Sequence, residues 1–225
     1  MTTALDKVDS LEELAEIASA CTACRLSATR TNVVFASGTK DAQVMVVGEG
    51  PGQQEDEQGL PFVGRSGRLL IELLSEVGIT REDVYIANVV KCRPPQNRDP
   101  RQDEIEMCKP FLRRQIELVD PVVVITLGNF SSKLLMQTTT GITRLRGKAY
   151  EWWGRYLVPT FHPAAALRGG ERVKNDIRAD IAIVRSLLEG RIIHDSEEAP
   201  NLANSVELIP VASEEQLGLF GTVSS

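Results

Sequence analysis

The sequence predicts an α/β protein, a three-layer α/β/α sandwich around a central, mostly parallel sheet. Three observations predict it. Short apolar runs at 43–48, 84–90 and 122–127 have the length and β-branched content of strands buried on both faces. Longer segments with helical periodicity lie between and after them, so strands alternate with helices. The 225 residues, 42% hydrophobic and 25% charged, suffice for one domain with a well-buried core.

The elements follow in order. Ser10-Leu11-Glu12-Glu13 carries a capping-box pattern and opens an amphipathic helix that ends near Ala20. Strand 43–48 leaves through Gly48-Glu49-Gly50-Pro51-Gly52. A helix over 65–77 is closed by Gly78, and strand 84–90 comes next. Helix 102–119 stops at Asp120-Pro121, and strand 122–127 runs through Gly128 into a helix reaching Met136. Residues 148–151 and 155–159 read as antiparallel or edge strands around Gly154. A final helix covers 173–188. From Ile193 onward polar, acidic and small residues dominate. The chain therefore divides into one domain over 1–192 and a disordered acidic tail over 193–225. No internal repeat is present.

Charge is unevenly distributed. Residues 1–20 carry −4 and residues 191–225 carry −5, so the middle is +3 within an overall −6. Basic residues of that middle gather in two stretches, Lys91, Arg93, Arg98 and Arg101, then Arg144, Arg146 and Lys148. Such clusters suit phosphate contacts, or simply form a solvated face. No apolar run approaches the ~20 residues that span a bilayer. The acidic N-terminus is unlike a signal peptide, and the expectation is a cytoplasmic monomer with no membrane partner.

Cys21 and Cys24 form a Cys-x2-Cys pair, with Cys92 and Cys108 far along the chain. Four thiolates can hold an iron–sulfur cluster or a zinc ion, and four unrelated buried thiols are the plain alternative. A disulfide framework does not suit a cytoplasmic chain of this size. Two further segments stand at strand exits. One is Val46–Gly52 continuing to Gly59-Leu60-Pro61-Phe62-Val63-Gly64, and the other is Thr160-Phe161-His162-Pro163. They bring a carboxylate, an aromatic ring, close-approach amides and one of only two histidines to the end of the sheet where open α/β folds bind ligands.

Several motifs agree in order and spacing with one family. Gly48-Glu49-Gly50-Pro51-Gly52 with Glu55-Asp56, Leu60-Pro61-Phe62-Val63-Gly64, Asn88-Val89-Val90-Lys91-Cys92-Arg93-Pro94, Asn97-Arg98 and Thr160-Phe161-His162-Pro163 resemble family-4 uracil-DNA glycosylases over roughly residues 15–190. The resemblance implies the fold of those enzymes. It also implies a [4Fe-4S] cluster on Cys21, Cys24, Cys92 and Cys108, and a uracil-DNA substrate in single or double strands. A monofunctional hydrolase of N-glycosyl bonds, starting base-excision repair, is the expected activity. A non-catalytic iron–sulfur DNA-binding protein and an electron carrier are the alternatives.

Under that resemblance the chemistry assigns roles. A flipped base needs a stacking partner, Phe62, and an amide that offers donor and acceptor, Asn88. Glu55 is placed by the resemblance beside C5 of the base, where it excludes thymine. His162 donates to the base oxygen as negative charge builds there, and Glu49 faces the sugar. Gly48, Gly50 and Gly52 let backbone amides approach closely. The loop 163–168 presses the minor groove, with Leu167 as wedge and Arg168 on phosphate. Gly50 stands where family-1 enzymes carry a water-activating Asp, so electrostatics and binding energy supply most of the rate. No histidine lies between Cys92 and Cys108, which argues against covalent capture, and no lysine is placed for a lyase step. In the tail, Gln216, Leu217, Leu219 and Phe220 resemble the Gln-Leu-x-Leu-Phe peptide by which bacterial replication and repair proteins bind the sliding clamp.

Overall fold

The three apolar runs become strands whose every residue is buried, because helices cover both faces of the sheet. The computed structural model describes residues 5–194 and 208–210. Its strands are β1 (Ser37–Gly38), β2 (Val44–Gly48), β3 (Val84–Asn88), β4 (Val123–Leu127), β5 (Ala149–Trp152), β6 (Arg155–Thr160) and β7 (Leu208–Pro210). They form one sheet in the order β1-β3-β2-β4-β6-β5-β7. The central four, β3, β2, β4 and β6, are parallel, with β1 antiparallel at one side and β5 antiparallel to β6 at the other.

The helices are α1 (Leu11–Ser19), α2 (Gln53–Gln58), α3 (Arg65–Ser75), α4 (Gln102–Val119), α5 (Gly128–Met136), α6 (Ile142–Leu145) and α7 (Pro163–His194). The period of two along each strand divides the core between the two faces. Met45, Val47, Tyr85, Ala87, Val124 and Leu157 pack against Leu112 and Ile116 of α4 and Leu135 of α5. Val46, Ile86, Val123, Ile125 and Val158 pack against Leu70, Leu73 and Leu74 of α3 and Ile177, Ile181 and Val184 of α7. That is the three-layer sandwich. Helix α1 lies outside it, with Leu14 and Ala18 on Phe111 of α4. Among the described residues no helix is long and apolar enough to cross a membrane.

Boundaries move where local chemistry decides them. Ser10 caps α1 by accepting from the Glu13 N–H at 3.1 Å. Helix α3 ends at Ser75, with Gly78 left-handed just beyond it. Strand β3 stops at Asn88, two residues short of expectation. Val89 and Val90 leave the ladder but stay buried, donating to the carbonyls of Gly48 and Glu49 at 3.0 and 3.1 Å. The segment 163–168, expected as a loop, is helical: α7 begins at Pro163 and is broken at Gly170, which takes φ 70°. Short β1, α2 and α6 carry too few residues for a periodic signal. Within the segment read as a disordered tail, Leu208–Pro210 pairs in parallel with β5. The clamp-like peptide at 216–220 lies outside the described residues.

Candidate active site

Parallel strands deliver their C-terminal ends to one edge, and the residues after β2, β3, β4 and β6 surround a solvent-open cleft of about 1890 Å³ there. Glu49, Gly50, Pro51 and Gly52 come from the exit of β2, Asn88 from β3, Gly128 and Asn129 from β4, and His162 from β6. Glu55, Phe62 and Arg168 also line the wall. The sequence expectation thus brought together residues more than a hundred positions apart.

Gly48 allows the inner end of the cleft to close. A Cβ there would stand 2.3 Å from Asn88 Oδ1 and 2.8 Å from Phe62 Cζ, so no side chain fits between the strand and these two groups. Asn88 is buried, and its Oδ1 has no hydrogen-bond partner. A buried, unpaired acceptor costs about 1–3 kcal/mol, which a ligand N–H recovers. The backbone oxygen of Asn88 is held by the Lys91 ammonium at 2.7 Å, and that ammonium also donates to Gln115 Oε1. Gln115 in turn donates to Tyr85 Oη and to the Phe35 carbonyl.

Phe62 is buried with φ 54°, a conformation uncommon for a residue with a side chain. Arg81 secures it by donating to the carbonyls of Pro61 at 2.8 Å and Phe62 at 3.2 Å. The Phe62 and His162 rings lie 5.8 Å apart between centroids, tilted by 30°. Glu55 turns one carboxylate oxygen onto the amides of Val63 and Gly64, at 3.1 and 2.9 Å, which fixes its direction at the cleft wall.

Two titratable groups are displaced in opposite senses. Burial pushes Glu49 up to about 7, and the carboxylate of Asp99 across the cleft adds to the shift. Burial also pushes His162 down to about 4, helped by Arg168 and opposed by Glu55. The ring is therefore neutral near pH ~7. Its Nδ1 accepts from the Ala164 N–H at 3.2 Å, so the proton sits on Nε2 and is available as a donor.

Leu167 and Arg168 sit on the first turns of α7 rather than on a loop. Leu167 is 43% exposed. Two residues of the basic stretches are not open to phosphate. Lys91 is buried under Asn88, and Arg146 is paired with buried Asp180. Arg98 reaches the cleft while paired through two hydrogen bonds with buried Glu104, at 2.6 and 2.9 Å. Trp152 packs in the core, whereas Trp153 is 43% exposed.

Sequence reasoning missed Asn129 and Lys133, which line the cleft from α5. Their spacing of four on a helix that starts at a strand exit was the available signal. Arg81 was missed because nothing local marks a clamp on a distant loop.

Cys21, Cys24, Cys92 and Cys108 line a second, smaller opening between α1, the 3-10 turn Arg25–Ala28, the exit of β3 and α4. Arg30 donates to Cys92 Sγ at 3.3 Å, and the Lys91 amide donates to Cys108 Sγ at 3.2 Å. Burial pushes the Cys108 thiol up to about 12, with Lys91 opposing. Among the described residues no three His, Cys, Asp or Glu side chains are grouped to hold a single metal ion.

Residues 35–182 match the model of the uracil DNA glycosylase superfamily. A type-4 uracil-DNA glycosylase of Sulfurisphaera tokodaii is 46% identical over 169 residues, covering 71% of this chain and 77% of the relative. One from Thermotoga maritima is 46% identical over 167 residues, covering 73% and 87%. A type-5 uracil-DNA glycosylase of Pyrobaculum aerophilum is more distant, 30% identical over 144 residues.

Proposed function

The chain belongs to the type-4 uracil-DNA glycosylases, and from that premise we propose how its cleft removes uracil from DNA. The enzyme hydrolyses the N-glycosidic bond and leaves an abasic site for repair. The base is first turned out of the stack into the cleft. Phe62 stacks on it. The unpaired Oδ1 of Asn88 accepts the imide N–H of uracil, which is the single observation that carries the reading. Cytosine has no proton at that ring nitrogen and would leave the acceptor unsatisfied. Glu55, held by the Val63 and Gly64 amides, stands beside C5 and crowds out a methyl group.

As the C1′–N1 bond breaks, its electron pair moves into the uracil ring and negative charge grows on the base oxygen. The Nε2–H of His162 donates to that oxygen. A neutral donor suits this step: with its pKa near 4 the ring is uncharged at neutral pH, and the N–H of a neutral imidazole is too weak an acid to be lost to the anion it stabilises. Positive character on the sugar is met by the Glu49 carboxylate. Water then forms the new C1′–O bond, and its released proton balances the uracil anion. Gly50 and Gly52 keep the entrance low for the phosphate backbone. Leu167, exposed on α7, wedges into the gap left by the base, and Arg168 takes a phosphate. Covalent capture and a lyase step are not part of this reaction.

Cys21, Cys24, Cys92 and Cys108 hold a [4Fe-4S] cluster. Four thiols line one opening, a donor set that suits a cluster. When bound, the cluster ties the N-terminal segment to α4 and the exit of β3, a structural task. Gln216, Leu217, Leu219 and Phe220 bind the sliding clamp. Deleting 214–225 should abolish clamp binding and spare base excision, and unchanged clamp binding would refute that role.

The test is incubation of cluster-loaded protein with an oligonucleotide bearing one U·G pair. Free uracil and an intact strand with an abasic site are expected. Tight binding without release would mean a non-catalytic DNA-binding protein instead.

A further inference from the structure

His162 lies two residues beyond the last ladder pairing of β6, Leu127 with Thr160. Its ring makes one backbone hydrogen bond, to Ala164, and leans on Phe62. On the α7 side the His162 carbonyl accepts from the Ala165 N–H at 2.7 Å. A buried polar assembly behind the strand end holds the other side of this segment. Thr160 and Asp180 are both fully buried, and Thr160 Oγ1 donates to Asp180 Oδ2 at 2.6 Å. Arg146 grips the same carboxylate with two hydrogen bonds, Nε to Oδ2 and Nη2 to Oδ1, each 2.9 Å. Its Nη2 also donates to the Asp176 carbonyl at 2.6 Å. The guanidinium carbon stands 5.4 Å from the centre of the Phe161 ring.

We propose that Arg146 and Asp180 are positioning residues for base excision, acting through Thr160 and the Phe161 ring to fix the height of His162 over the cleft. Core burial alone does not require them. A buried ion pair is roughly neutral for stability against an apolar replacement, so its presence here points to geometry. Arg146 comes from the segment after α6, Asp180 from α7 and Thr160 from β6, so the assembly locks three elements at the strand end that bears the donor. A misplacement of about 1 Å can cost on the order of 100-fold in rate.

The inference rests on the role given to His162 above, and the test separates the two. Thr160→Val removes only the hydroxyl and leaves the Arg146–Asp180 pair. Thr160→Ser restores the hydroxyl. Each is made in the wild type and in His162→Ala, and all are compared in single-turnover uracil release, affinity for uracil-DNA and melting temperature. We expect Thr160→Val to slow release about tenfold in the wild type, with affinity held within about twofold. Thr160→Ser should recover most of the rate, and in His162→Ala the valine should have no further effect. Asp180→Asn, crossed with His162→Ala in the same way, should give the same pattern and serves if the valine variant does not fold. Equal slowing in both backgrounds overturns the proposal, as does no slowing in either. A His162→Ala protein at wild-type rate removes the role of His162 and the proposal with it.

Discussion

Ionisation of Glu49 should set the pH dependence of base excision. Its carboxyl is pushed up to about 7 by burial at the strand exits and by the charge of Asp99. A carboxylate stabilises a positive sugar, and a carboxylic acid does not, so the rate follows the ionised fraction. With a pKa near 7, that fraction climbs from about one tenth at pH ~6 to about nine tenths at pH ~8. Single-turnover uracil release should therefore rise about tenfold across that interval. His162 adds no limb of its own there, since its pKa lies near 4. Removing the neighbouring charge with Asp99→Asn lowers the Glu49 pKa and moves the rise to lower pH. Glu49→Gln abolishes the rise and lowers the plateau. The assay uses enzyme in excess over a uracil oligonucleotide at constant ionic strength, because DNA binding itself is salt-dependent. A flat wild-type profile, or the same rise in Glu49→Gln, would refute the reasoning.

Further outcomes follow from the same geometry. Gly48→Ala puts a methyl 2.3 Å from Asn88 Oδ1 and 2.8 Å from the Phe62 ring, and should lower uracil release about 100-fold or more. The fold should persist, as circular dichroism would show. The His162 pKa is depressed in the folded protein, so the unfolded chain takes up the proton first. Its contribution to stability is complete above pH ~6.5 and is lost as pH falls towards ~4, amounting to about 2 kcal/mol once residual contact with water is allowed for. Urea unfolding at both ends of that range, with His162→Gln as reference, measures it. Cys92→Ser and Cys108→Ser should each cut bound iron and labile sulfide severely and raise sensitivity to proteolysis near α1; full iron content would remove those ligands from the account. Lys91→Met should destabilise the protein by about 2 kcal/mol, by unpairing Asn88 O and Gln115 Oε1. It should leave the salt dependence of DNA binding unchanged, whereas a reduced slope would restore a phosphate role.

The layered fold was legible because burial on both faces writes itself as uninterrupted apolar runs, as at Val44–Gly48 and Val123–Leu127. Strand exits carrying glycine or proline then located the cleft. What stayed hidden depends on long-range pairing. Lys91 and Arg146 look like surface cations in sequence, yet Lys91 is buried against Gln115 and Arg146 is paired with buried Asp180, partners far along the chain. The break at Gly170 let helix α7 start ten residues before the periodic pattern became clear at Val173. Likewise Arg81 holds the Phe62 turn from a position that no motif marks. The cysteines were legible as a set through resemblance, since spacing alone left cluster, zinc and unrelated thiols open.

Uracil release by Asn88→Ala beside the wild type, under single turnover with DNA affinity measured in parallel, tests the central claim most directly. The claim is that an unpaired acceptor at the end of β3 reads the base while His162 carries its charge. A loss of about 100-fold or more in release, matched by His162→Ala and with binding to undamaged DNA unchanged, is the predicted result. Release at near the wild-type rate in either variant would contradict it and place the chemistry elsewhere in the cleft.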